Sequence, residues 1–281
     1  MHRLVMFTAV VFCAGAFALQ PALAQDHYTL EYRFVQGKTY RFADSISIKT
    51  SQEVMGQEMK STSSVFAATR VVPSEVRSDG MTVLVISPDN MKFSLKSMQL
   101  DTTIDLQEMI GKRTRLTISK LGDFTRRDVI DTVRLAGLAA SAGQRDLIRF
   151  HTYPAKPVKV GEKWSSTRPD TTEVSGSKIA IKTAFEYTLV AKEQHRGIEC
   201  LKISYAGTIS FTGKGSAMGG TFYVEGTGKA AGTFFVDPAN GLPVSEDSTT
   251  DTESTVAITG QQNMTIPSSQ SIISHRTLLS D

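Results

Sequence analysis

The chain has 281 residues, with 31 Lys and Arg against 28 Asp and Glu and a formal net charge of +3 at pH 7. The basic excess is spread along the sequence without a run of Lys and Arg. Nucleic-acid binding and polybasic membrane attachment therefore lack an electrostatic footprint. The length suffices for one large β domain, or two small ones, with a substantial core.

The N-terminus reads as a cleaved secretory signal over residues 1–24. His2 and Arg3 precede an apolar stretch, Leu4 to Leu19, then Pro21 and the small-x-small site Ala22-Leu23-Ala24, with Gln25 as the expected mature start. The apolar run, roughly 16 residues, is short of the ~20 needed to span a bilayer. Cys13 follows Phe12 and lies inside the apolar run, which does not fit a lipidation site. A periplasmic or secreted protein without a stable membrane anchor is expected. Cys200, the one cysteine left after cleavage, has no disulfide partner within the mature chain and is expected to be structural.

Alternating apolar residues then mark strands in sequence. Tyr28, Leu30, Tyr32 and Phe34 share a face, and Gln36-Gly37-Lys38 turns the chain into Tyr40, Phe42, Ile46 and Ile48, with a bulge expected near Asp44. Met55-Gly56 turns it again. Strands follow over Val65–Val72, Met81–Ile86 after the Asp79-Gly80 hairpin, and Met91–Leu95 after a Pro88-Asp89-Asn90 turn. Asp105–Ile110 reads as one or two helical turns and Arg113–Ser119 as a strand closed by Leu121-Gly122-Asp123. Asp128–Ala142 has a helical stripe (Val129, Val133, Ala136, Ala140), and Gln144–Phe150 is a second helical candidate.

Tyr153 to Trp164 contains two prolines and reads as an extended connector and a possible seam. A second meander follows: Ile179–Leu189, a His195-Arg196-Gly197 turn, Ile198–Phe211, Phe222–Val236, the Asp237–Gly241 turn, Leu242–Ile258 and Met264–Leu278. Gly226, Gly228 and Gly232 within one strand signal bends or close backbone approach. The expected fold is mainly β (α+β), with long antiparallel strands in a curved sheet or open half-barrel and one or two helices packed on it. Residues 25–281 are expected to form a single exported domain, with any seam near 154–164.

Pro154-x-x-Pro157-Val158-x-Val160-Gly161-x-x-Trp164 resembles the mid-chain marker of a bacterial exported, β-rich family of unknown function. Phe34-x-x-Gly37-x-x-Tyr40 is similar to that family's opening hairpin, and His195-Arg196-Gly197 and Phe234–Leu242 stand in matching places. The resemblance implies an exported β-rich domain and supplies no activity or catalytic residue. Pro154, Pro157, Gly161 and Trp164 are structural markers within it. The long strands with a helix pair also look like the half-barrel of periplasmic lipoprotein carriers, a likeness of fold that does not establish function.

No catalytic motif stands out. His27, His151, His195 and His275 show no ligand spacing, and HExxH, CxxC and G-x-S-x-G are absent. Asp247, Asp251 and Glu253 share one parity and would suit calcium, but their Ser/Thr-rich surroundings fit a solvated strand face better. Gly213–Gly220 lacks the phosphate-loop order and reads as a hairpin tip. Met55, Met59, Met81, Met91, Met98 and Met109 are read first as core filling and second as an adaptable apolar surface. No metal or cofactor is expected. The leading expectation is a non-enzymatic binding protein for an apolar or lipid ligand. The alternatives are an envelope interaction or assembly factor working with an envelope protein, and a hydrolase using a carboxylate pair.

Overall fold

The computed structural model describes residues 26–133, 149–174, 177–217, 220–259 and 263–279. The leader, with the cleavage pair Ala24 and Gln25, lies outside them. The strands are β1 (Tyr40–Val54), β2 (Gln57–Val76), β3 (Met81–Ser97), β4 (Asp101–Asp105), β5 (Thr114–Ser119), β6 (Phe124–Val129), β7 (Lys163–Val174), β8 (Ser177–His195), β9 (Ile198–Ala217), β10 (Gly220–Val236), β11 (Pro243–Thr259) and β12 (Met264–Leu279). They form one antiparallel sheet in the order β6-β5-β3-β2-β1-β12-β11-β10-β9-β8-β7, with β4 paired to β3. The fold is mainly β, and the sheet is open.

The first and last strands therefore pair at the middle of the sheet, Phe42 opposite Leu278 and Ile48 opposite Ile272. The edges, β6 and β7, are neighbours in sequence, so the opening coincides with the connector expected as a seam. Side chains bridge the edges at one end. Arg168 of β7 donates to the Gly122 carbonyl at 3.1 Å and lies over the Phe124 ring, 4.5 Å from its centroid. Pro169, with no amide hydrogen to give, sits in this edge strand, where one ladder is unused.

One face of the sheet, here called the inner face, carries the core at the end near residues 28–42 and 149–164. Tyr40, Phe42, Leu84, Ile118, Leu189, Ile203, Phe234 and Val236 are buried there. Two extended segments fill this end. Leu30, Tyr32 and Phe34 are buried in one, and Phe150, Tyr153 and Val158 in the other. Tyr28 bridges Val158 through backbone bonds of 2.7 and 3.0 Å. Residues 28–34 keep the alternation expected of a strand but join no ladder. They cross the sheet end, with the Tyr32 amide donating to the Lys120 carbonyl and the Arg33 amide to the Asn240 carbonyl, both at 2.8 Å. The turns that receive the two segments depend on Gly122 (φ +91°) and Gly241 (φ +71°). A Cβ at Gly122 would overlap the His151 carbonyl oxygen, and one at Gly241 would overlap that of Glu31.

Other expectations change. No bulge occurs at Asp44: β1 pairs in unbroken register with β2 and β12. Asp44 keeps the parity of Phe42 and Ile46 and is buried, paired with an arginine, so the apolar pattern is interrupted while the backbone is not. Pro88-Asp89-Asn90 is a bulge inside β3 rather than a turn, and the register shifts opposite Ala68/Thr69. Asp105–Ile110 gives one 3-10 turn, Gln107–Met109.

The one or two helices packed on the sheet are not supported. Asp128 and Val129 end β6, because pairing of Asp128 with Arg115 overrides its helix-start signal, and Arg113 claims Asp131 through bonds of 2.7 and 3.1 Å. Residues 134–148, the remainder of the helical stripe and most of the second candidate, lie outside the described residues. Residues 149–150 belong to no helix or strand. Gly213–Ala217 continues β9 rather than forming a loop, and residues 218–219 lie outside the description. Short β4, short β6 and polar β7 carry too few apolar residues to show in the sequence.

Candidate functional site

Sheet register sorts the inner-face residues into rows, because paired residues share a face. The row bordering the core runs Asp44–Arg276–Glu246–Phe234–Ile203–Leu189. It alternates negative, positive, negative before turning apolar. Arg276 Nε donates to Asp44 Oδ1 at 2.7 Å and Nη1 to the Arg149 carbonyl at 3.0 Å. Tyr205 donates to Glu246 Oε1 at 2.8 Å, and His151 Nε2 lies 3.1 Å from the same oxygen without hydrogen-bond alignment. The His151 ring is stacked on Phe234, with centroids 4.0 Å apart.

Burial raises the Asp44 carboxyl, and Arg276 only partly opposes this because Asp44 Oδ2 has no hydrogen-bond partner. Burial also pushes Glu246 upward, but the adjacent His151, the Arg276 charge and the Tyr205 hydroxyl together hold it well below the usual carboxylate range. Asp44, His151, Glu246 and Arg276 are each at most 8% exposed. These carboxylates are locked to core partners, and the geometry offers them no substrate. The cluster is structural.

Beyond this row the inner face changes. The next rows read Ile46–Ser274–Ser248–Gly232–Tyr205–Tyr187, then Ile48–Ile272–Thr250–Ala230–Gly207–Phe185, then Thr50–Gln270–Thr252–Gly228–Ile209–Thr183, then Gln52–Ser268–Ser254–Gly226–Phe211–Ile181, then Ile266–Val256–Val224–Gly213–Ile179. Aromatic rings lie over glycines here: a Cβ on Gly226 would overlap the Phe211 ring, and one on Gly232 would lie 2.8 Å from Tyr205 Cε1. This is the close approach that the glycines of β10 signalled. Among the described residues, no charged side chain occupies the inner face of β8–β12, β1 or β2 past the Asp44–Arg276–Glu246 row. The alternate, outward positions hold Lys49, Lys60, Lys182, Lys229, Asp251 and Glu253.

Ile179, Ile181, Phe211, Val224, Val256, Ile258 and Ile266 are half-buried but belong to neither core cluster of the described residues. A depression of about 1060 Å³ crosses the sheet from β2 to β9 at the level of Thr50 and Gln270. Lys49, Lys229, Asp251 and Glu253 border it, a solvated margin carrying both signs of charge.

The residues singled out from sequence fall elsewhere. Pro154 and Pro157 lie in the second crossing segment, and Gly161 takes φ +89° ahead of β7. Trp164 stacks on Tyr187 at 5.3 Å and donates to the Thr152 carbonyl at 2.9 Å. Asp247 pairs with His275 at 2.6 Å on the outer face. No group of three or more His, Cys, Asp or Glu suited to a metal occurs among the described residues. Met91 is core and Met109 packs beside the second cluster. Met55, Met59 and Met98 are exposed, by 79%, 52% and 92%, so the methionines divide between core and surface.

Cys200 is buried, and burial pushes its thiol up to about 11. His195, its neighbour in sequence, is engaged instead by Ser245 at 2.8 Å and by stacking on Phe235. Cys200 should therefore resist a thiol reagent such as 5,5′-dithiobis(2-nitrobenzoate) in the native protein and react fully after unfolding in urea. Rapid labelling of the folded protein would contradict this burial.

Residues 149–243 match the model of the family of unknown function DUF6263. The DUF6263 match begins in the second crossing segment, contains Pro154 to Trp164, and ends at the first residue of β11. It agrees with the β-rich family of unknown function that the marker resembles. No curated protein matches the chain.

Solved structures similar to it include Neisserial surface protein A, at 9% identity, 84% of this chain, 96% of that chain and a TM-score of 0.23. Pseudomonas aeruginosa OpdQ gives 6%, 86%, 100% and 0.27. An outer membrane channel from Pseudomonas putida F1 gives 8%, 89%, 98% and 0.22. Likeness at these TM-scores carries no argument. The outward rows do: a membrane-spanning barrel presents an apolar outer band about 25 Å tall, and here Lys49–Ser271–Asp251–Lys229 stand there. No described helix is long and apolar enough to cross a membrane.

Proposed function

We propose that this chain is an exported, soluble, non-catalytic protein that binds an apolar or lipid-like small molecule on the inner face of its sheet, beyond the Asp44–Arg276–Glu246 row. Segregation of charge across the sheet carries the reading. Strands 15–20 residues long alternate charged and neutral positions, and in the half away from the core every charge on β8–β12, β1 and β2 points outward. A sheet solvated equally on both faces has no reason to exclude charge from one. A sheet closed over its own core would draw Ile181, Phe211 and Val224 into that core, and they stand outside it. The leader pattern at residues 1–24 supports export, and the polar outer face supports solubility.

The neutral dye N-phenyl-1-naphthylamine, which fluoresces in apolar surroundings, tests the reading. Saturable enhancement is expected with the wild-type protein. Val224→Asp should weaken it at least tenfold while the circular dichroism spectrum stays that of a β protein, because a carboxylate on the inner face disfavours an apolar occupant. A folded wild-type protein that gives no enhancement overturns the reading.

A further inference from the structure

Past the Asp44–Arg276–Glu246 row, the inner face of β8–β12, β1 and β2 is divided in chemistry as well as stripped of charge, and the division describes a ligand. In the Thr50 and Gln52 rows, β8–β10 present Ile181, Ile209 and Phe211 beside Gly226 and Gly228, with Thr183 at the β8 end. The same rows on β2, β1, β12 and β11 present, besides exposed Gln52 and Met59 completing the second row on β1 and β2, the polar side chains Ser61, Thr50, Gln270, Thr252, Ser268 and Ser254. These six side chains are half-buried, and none is hydrogen-bonded to another described residue. They form a patch four strands wide, about 14 Å at the usual strand spacing. Apolar rows bound it on both sides, Ile48–Ile272 toward the core and Ile266–Val256 toward the strand tips.

Hydroxyl and amide groups in this position can both donate and accept, and they carry no charge. They suit a neutral, hydroxyl-bearing group. An anion or a cation placed there would lose hydration and meet no counter-charge on the inner face of β2, β1, β12 or β11 beyond the Asp44–Arg276–Glu246 row; the inner-face charges of β7, Arg168 and Asp170, lie at the far edge of the sheet, past β8.

We infer that the ligand is an amphiphile with a single acyl or alkyl chain and an uncharged, hydroxyl-bearing head, such as a monoacylglycerol. The chain lies over Ile181, Ile209 and Phe211, and the head lies on the Thr50–Gln270–Thr252 patch. This rests on the binding reading above and adds the head-group class to it.

Competition separates the two claims. The wild-type protein is loaded with N-phenyl-1-naphthylamine and titrated with 1-monolauroylglycerol, laurate or lauryl phosphate, each below its micelle concentration. The three share a chain and differ in the head. Monolauroylglycerol should displace the dye at a concentration at least tenfold lower than either anion. The Thr252→Val, Gln270→Leu double variant should lose about tenfold for monolauroylglycerol and keep its dye affinity within twofold. Equal or better displacement by laurate or lauryl phosphate overturns the head-group inference and leaves apolar binding standing. An unchanged monolauroylglycerol affinity in the folded variant likewise overturns it. Failure of the wild-type protein to take up the dye at all removes the binding reading and this inference together.

Discussion

Gly241→Ala should lower stability by about 3 kcal/mol or more, and Gly122→Ala by a similar amount. Two effects add. A residue with a Cβ at φ +71° or +91° loses roughly 1–2 kcal/mol to the left-handed conformation alone. The new methyl group then overlaps a backbone oxygen of a crossing segment, Glu31 in one case and His151 in the other. Backbone oxygens cannot swing aside as a lysine tip can, so the segment must move. At Gly241 that puts the Tyr153 hydroxyl bond to its carbonyl, at 2.8 Å, and the Arg33–Asn240 backbone bond at risk, each worth about 1 kcal/mol. Gly161 is the control: φ is +89°, but nothing stands within 4 Å of its missing Cβ, so Gly161→Ala should show the conformational cost alone. Urea midpoints measured on the three variants test this. Equal losses in all three would mean that the crossing segments do not seal the core end.

The second large effect concerns Arg276. Arg276→Leu leaves Asp44 without its cation and takes one from Glu246, which should cost about 3–5 kcal/mol. Replacing the Asp44 partner as well, in Arg276→Leu with Asp44→Leu, should recover part of the loss, since a paired apolar replacement removes the uncompensated charge; a double-mutant cycle isolates the coupling. The two carboxylates also give opposite pH dependences. Glu246 is depressed in the folded state, so its contribution is present above the unfolded value of about 4.3 and is lost as pH falls below it. Wild type should therefore lose stability relative to Glu246→Gln on acidification from about pH 4. Asp44 is raised, so its ionisation in the fold is the unfavourable event. Wild type should lose stability relative to Asp44→Asn as pH climbs from the unfolded value of about 3.9. Parallel pH curves for wild type and both variants would show that neither carboxylate differs between folded and unfolded states.

Much of the sheet was legible in the sequence because its signal is local. Alternation located β1, β8, β9 and β12, and Gly37, Gly80, Gly197 and Gly241 marked turns that require positive φ. What escaped depends on partners far along the chain. Asp44 broke an apolar pattern and resembled a bulge; its burial follows from Arg276, 232 residues later and opposite it in register. The stripe beginning at Asp128 has helical spacing, but β5 captures its first residues as a strand. Polar β7 left no strand signal because an edge strand buries little. The candidate face was half visible. The parity of Asp247, Asp251 and Glu253 showed one outward face, and the hydroxyls between them showed the other. Their alignment with Thr50 and Ile209 needed the register that joins β1 to β12 and β10 to β9.

The central claim is that the uncharged part of the inner face, beyond the Asp44–Arg276–Glu246 row, is occupied by an amphiphile. Native mass spectrometry of the protein purified without detergent from the cells that make it tests this most directly. The account predicts a mature chain beginning at Gln25 and carrying an adduct, which organic extraction removes and whose fragments show an alkyl chain with a neutral head. A clean mass of the bare chain from that source, together with no dye uptake by the same folded sample, would contradict it.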